Sequence, residues 1–130
     1  VQDRPTAPEL LEAIADFLQD EVSEHVPDWL SFQLRVARNS LLIVKREIES
    51  EERHLHSEWQ RLDELLGATE PPATFRELRT ALRDRNEQLC TAIREGGFDD
   101  QSRRSHLLAH LHATVREKLS ITNPRYVTGT

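Results

Sequence analysis

Along most of the chain apolar residues recur at steps of three and four, the spacing that keeps one stripe on one face of an α-helix, and no segment alternates as a strand would. The longest such run is Trp29 to Leu66, 38 residues without Gly or Pro. Its stripe is Leu30, Leu34, Ala37, Leu41, Val44 and Ile48, then Leu55, Trp59, Leu62 and Leu66. Unbroken, it would reach about 57 Å, against a diameter of about 36 Å for a compact domain of this length. Either the helix bends or the molecule is elongated. Glu51 occupies the slot between Ile48 and Leu55, which puts any bend or break at Glu49 to His54.

Turn and cap residues divide the rest. Thr6-Ala-Pro-Glu9 has the form of a capping box and opens a helix over 7–25, with Leu11, Ile14, Leu18 and Val22 as its stripe and Pro27 as its stop. Asp28 is placed to cap the long helix, 29–66, and Gly67 to end it in the left-handed conformation. Thr74-Phe-Arg-Glu77 repeats the box and opens a helix over 75–95, with Phe75, Leu78, Leu82, Leu89 and Ile93 on one face, Asn86 interrupting it, and Gly96-Gly97 closing it. Asp99 or Asp100 caps a helix over 101–122 with Leu108, Leu111, Val115 and Leu119 in step, and Pro124 starts a tail. The prediction is an all-α, antiparallel bundle of four main helices in one domain, 1–130, with 1–5 and 127–130 flexible. Leu34, Leu41, Val44, Leu62, Leu78, Leu82, Leu111 and Val115 are its expected core.

Composition narrows the class. A chain of 130 residues can bury a core without disulfides or metal, and a single cysteine, Cys90, suits a reducing, cytoplasmic setting. No run is long and apolar enough to span a membrane, and Val1 to Thr6 is polar, without a signal-peptide core. The formal net charge of -6 argues against a nucleic-acid binder. Charge is uneven: Pro5 to Leu34 holds seven acids and no Lys or Arg, while Arg103, Arg104, Arg116, Lys118 and Arg125 gather late. This reads as solvated faces of opposite sign. A straight 29–66 helix would leave part of its stripe uncovered, which a two-fold homodimer could shield.

Candidate chemistry is sparse. Cys90 has no Cys or His signature around it and reads as a small buried or half-buried residue. Glu51-Glu-Arg-His54 matches one half of a di-iron motif, without the second copy such a site needs. His106 and His110, four apart, are the metal candidates, but no third ligand is indicated and solvated histidines are the favoured reading. Arg35 and Asn39 stand one turn apart beside the stripe and need partners if buried. They are expected to join Asn123, Arg125 and Tyr126 in a polar network, with ligand contact as the alternative. No catalytic residue and no cofactor is indicated.

Arg4-Pro-Thr-Ala-Pro-Glu-Leu-Leu-Glu-Ala-Ile14, Phe32-Gln-Leu-Arg-Val-Ala-Arg-Asn39, Leu89-Cys-Thr-Ala-Ile-Arg94 and Leu107 to Tyr126 resemble a family of small bacterial helical domains of unknown function. The closing Lys118 to Tyr126 is the most specific part. This chain departs from the family at Glu49 to Glu58, where a Gly or Pro is expected. Members are typically encoded beside acyl-CoA dehydrogenases and kinase-like proteins of the aminoglycoside phosphotransferase fold. The resemblance implies an accessory role, with such a dehydrogenase or kinase-like protein as partner. Two readings stay open: a non-catalytic interaction module, or a small-molecule or metal-binding bundle built on Arg35, Asn39, His106 and His110.

Overall fold

The computed structural model describes residues 3–128, so the flexible ends expected at 1–5 and 127–130 lie partly outside it. Among the described residues the regular structure is all helical: α1 Ala7–Phe17, α2 Ser31–Leu66, α3 Phe75–Arg94, α4 Gln101–Thr122 and α5 Pro124–Thr128. α2 is helical through Glu49 to His54, with no break. The chain divides into two compact units, Val1–Ser50 and Glu51–Thr130.

In the first unit the capping box forms as predicted: the Thr6 hydroxyl accepts from the Glu9 N–H at 3.3 Å and Glu9 returns to the Thr6 N–H at 3.0 Å. After Phe17 the helix widens into a π turn, Leu18–Val22, in which the Ser23 N–H reaches back to the Leu18 carbonyl. A 3-10 turn, Ser23–His25, follows. Val26 is extended, as a residue before proline prefers, so Pro27 ends the path where the sequence placed the stop. Asp28 does not cap α2. It lies inside a 3-10 turn, Asp28–Leu30, with no side-chain cap. Packing is thin: Ala15 is the buried residue here, while Leu11, Leu18, Leu30, Leu34 and Leu41 are half-buried. Val44, expected in the core, is exposed, because a helix with one neighbour in its unit has only a narrow seam covered. Lys45 bridges the elements, 3.0 Å from Glu49 and 3.8 Å from Glu12 on α1. The Glu49 contact raises its pKa above the ordinary value, outweighing the small loss from burial.

The second unit holds the hydrophobic core: Trp59, Leu62, Leu65, Leu78, Leu82, Leu89, Phe98 and Leu107. Contacts from α2 to α3 fall at Glu51–Arg79, Glu58–Asn86 and Asp63–Arg85. From Glu51–Arg79 to Glu58–Asn86 both partners advance along the chain, and Arg85 reaches on to Asp63 and the Gly67 carbonyl, so α3 runs in the same direction as this part of α2. Contacts from α2 to α4 run the other way, Leu65 with Arg103, Arg61 with His110 and Glu117. The simple up-and-down alternation therefore fails at α3. The segment from Gly67 to Thr74 is long enough to return along α2, and Thr69 pins it there, its carbonyl accepting from the Trp59 indole at 3.2 Å and its N–H donating to Asp63 at 3.3 Å. Gly67 takes φ 102°, the left-handed cap expected of it.

Thr74 caps α3 by accepting from the Glu77 N–H, but the return bond of the box is absent. Asp100 is the cap of α4. α4 is turned relative to the predicted stripe. Leu107 and His110 are buried, with Thr114 and Glu117 half-buried beside them, while Leu108, Leu111 and Val115 are exposed. Helix four carries apolar residues on more than one side, so spacing alone does not choose its buried face. Cys90 is exposed rather than packed. The predicted tail is α5: Pro124 fits a first helical position, where its missing N–H costs nothing.

Candidate functional site

The buried face of α4 meets α2 through one arginine. Arg61 Nη1 donates to Ser57 Oγ at 2.9 Å and to Glu117 Oε1 at 2.9 Å, and Nη2 to Glu117 Oε2 at 2.8 Å and Thr114 Oγ1 at 3.2 Å. Nε donates to His110 Nδ1 at 3.3 Å. All five guanidinium donors are used. Because Nδ1 accepts, the neutral imidazole carries its proton on Nε2. Burial, followed by the adjacent Arg61 charge, lowers the His110 pKa. Burial pushes Glu117 the opposite way from its partner, but the two bonds and the charge of Arg61 prevail and hold its carboxyl below the usual range. Glu58 also faces His110 and accepts from the Asn86 amide at 2.9 Å, which accounts for the polar residue in the α3 stripe.

Two further arginines close the end of α2. Arg85 donates to Asp63 at 2.6 Å and to the Gly67 carbonyl at 2.8 Å, with its guanidinium 4.6 Å from the Trp59 ring. Arg103 donates to the Leu65 carbonyl and lies 4.6 Å from the Phe98 ring. Cations here suit the negative end of the helix dipole. These networks satisfy themselves. Among the described residues no nucleophile is hydrogen-bonded to a histidine base.

His106 and His110 are brought to one small cavity of about 120 Å³, with Arg61, Glu64, Leu65 and Ala109. His110 is buried rather than solvated, and the nitrogen it would offer a metal is bonded to a cation. Among the described residues no group of three or more His, Cys, Asp or Glu could hold a metal ion. In the first unit Arg35 lies 6.0 Å from the Phe32 ring and Asn39 is exposed. In the second, Asn123 is the cap of α4, its N–H bonded to the Leu119 carbonyl, and Arg125 and Tyr126 are exposed. Tyr126 lines a shallow cavity of about 340 Å³ with Val115, Leu119 and Val127.

The first unit's surface is the other notable feature. Leu10, Ile14 and Phe17 on α1 are exposed, as are Val36, Val44 and Ile48 on α2. Trp29 and Phe32 are 75% and 68% exposed. The spacings 10, 14, 17 on α1 and 32, 36 on α2 each hold to one helix face, with Trp29 in the 3-10 turn just before α2.

The model of a family described as a domain of unknown function, DUF6285, matches residues 24–126. The chain belongs to this family. No curated protein and no solved structure matches it. The DUF6285 match takes in α2, α3 and α4 entire, and with them the Arg61 and Arg85 networks, whereas α1 precedes it. No helix among the described residues is long and apolar enough to cross a membrane.

Proposed function

We propose that this DUF6285 domain is a non-catalytic interaction module that acts as a homodimer through the apolar surface of its first unit. The carrying observation is the imbalance in Val1–Ser50: among its described residues Ala15 is the buried hydrophobic, while eight large apolar side chains, Leu10 to Ile48, are exposed. Soluble monomers rarely leave so much apolar surface to water. A second copy is the simplest occupant. Two such helical pairs supply the four helices of a closed bundle, and a two-fold contact covers both copies with one surface.

An acyl-CoA dehydrogenase or a kinase-like protein as a further partner is supported by the resemblance of the sequence, and co-purification tests it. A cytoplasmic setting is supported by the single unpaired cysteine. Self-association is tested by light scattering at tens of micromolar. The chain, 15.1 kDa, is expected at twice that mass. Trp29→Glu with Phe32→Glu should halve the mass and Val115→Glu should leave it unchanged. A monomeric mass for the unsubstituted chain would remove the proposal.

A further inference from the structure

The π turn, the feature of α1 that the spacing of apolar residues does not require, coincides with a cavity. Leu18, Gln19 and Ser23 from the turn and its end, and Leu34, Arg35 and Arg38 from α2, enclose about 240 Å³. A π turn adds one residue to the helical repeat, and such turns occur disproportionately at functional positions. Here it lies on the same cavity as two arginines about one helical turn apart on α2.

Arg38 carries the second observation. Its Nε is shielded from solvent and has no hydrogen-bond partner. Among the described residues neither Arg38 nor Arg35 is in an ion pair, although Asp16, Asp20, Glu21 and Glu24 lie close in sequence to the cavity wall. Arg61, half-buried like Arg38, and Arg85, buried, are bonded to carboxylates. A buried guanidinium N–H left without an acceptor costs free energy that an oxygen anion would recover, and the planar fork of Arg fits a carboxylate with two parallel bonds.

We infer that this cavity binds a small monocarboxylate with a short apolar tail, its carboxylate on Arg38 and Arg35 and its tail against Leu18 and Leu34. The acidic run from Pro5 to Leu34 decides between anions: its seven carboxylates, with no Lys or Arg among them, repel a doubly charged phosphate more than a single charge. The apolar walls favour a hydrocarbon tail over an inorganic ion. None of the six lining residues is among the apolar side chains assigned above to the second copy, although Arg35 lies 6.0 Å from the ring of one of them, Phe32, so dimerisation is measured separately in the test.

The test is titration of the full chain with hexanoate, followed by amide chemical shifts, against hexan-1-ol and inorganic phosphate. Saturable shifts confined to Leu18–Ser23 and Leu34–Arg38 are expected, with hexan-1-ol and phosphate each weaker by about tenfold or more. Arg38→Gln and Arg38→Lys should each weaken hexanoate by about tenfold, the lysine variant because it keeps the charge while removing the Nε–H, with helix content unchanged by circular dichroism. Arg35→Gln should weaken it less, since that side chain is exposed. The inference is overturned if hexanoate does not saturate, if its shifts fall elsewhere, if hexan-1-ol or phosphate binds equally well, or if Arg38→Lys binds as the unsubstituted chain does. Light scattering on the same samples reports dimerisation separately.

Discussion

Arg61 bonds two helices through five acceptors, so its loss orphans several groups at once. Arg61→Ala is expected to destabilise the second unit by about 3 kcal/mol, since Glu117 would stay half-buried without its counter-charge. Glu117→Gln combined with Arg61→Ala should cost less than the sum of the two, measured as a double-mutant cycle in denaturant. His110 adds a pH dependence. Its folded pKa lies below the ordinary 6.5, so the unfolded chain takes up that proton first. Its contribution is full above 6.5 and is lost as pH falls from there to the folded value. Glu117, depressed below the ordinary 4.5, contributes fully above 4.5 and loses stability only as pH falls further. Denaturant midpoints should therefore fall in two stages on acidification, and His110→Gln should remove the first stage alone. These residues were the least legible in the sequence. Arg61 and Glu117 belong to no motif, and the polar residues in the α3 stripe, Asn86 and, in step with Leu78, Leu82 and Leu89, Arg85, pair with Glu58 and Asp63 instead. A long polar side chain in an apolar stripe marks a buried partner, but its identity depends on how the helices turn.

Helix ends were read closely because caps are local chemistry: Thr6, Gly67, Thr74, Asp100 and the Gly96-Gly97 stop each act within a few residues of themselves. Helix orientation was not local. The return of Gly67 to Thr74 along α2 depends on Trp59 and Asp63, and it makes α3 run with α2 rather than against it. The face of α4 was equally hidden, since Leu107 and Leu108 are equally apolar and the first is chosen by the core it joins and by the Arg61 network beside it. The consequence can be measured. Leu62→Ala, at a fully buried position, is expected to cost about 2 to 5 kcal/mol, whereas Val115→Ala, at an exposed position that apolar spacing alone assigns to the core, should cost well under that. Equal shifts in denaturant melts would mean that α4 packs on the opposite face.

The molecule joins two units of unequal quality. Glu51–Thr130 has, among its described residues, a core of eight buried hydrophobics tied by three arginines, and should be stable in its own right. Val1–Ser50 has a well-capped helix, a π turn and a largely uncovered surface. That difference in burial predicts a difference in local stability, with the first unit opening at lower free energy unless a second copy supplies the missing contacts. Amide hydrogen exchange measured across a range of protein concentrations tests this most directly. Protection of Ala7–Phe17 and of 31–48 should rise with concentration as dimer forms, while protection within α3 and α4 stays constant. Protection of the first unit that does not change with concentration, at a constant monomeric mass, would contradict the account.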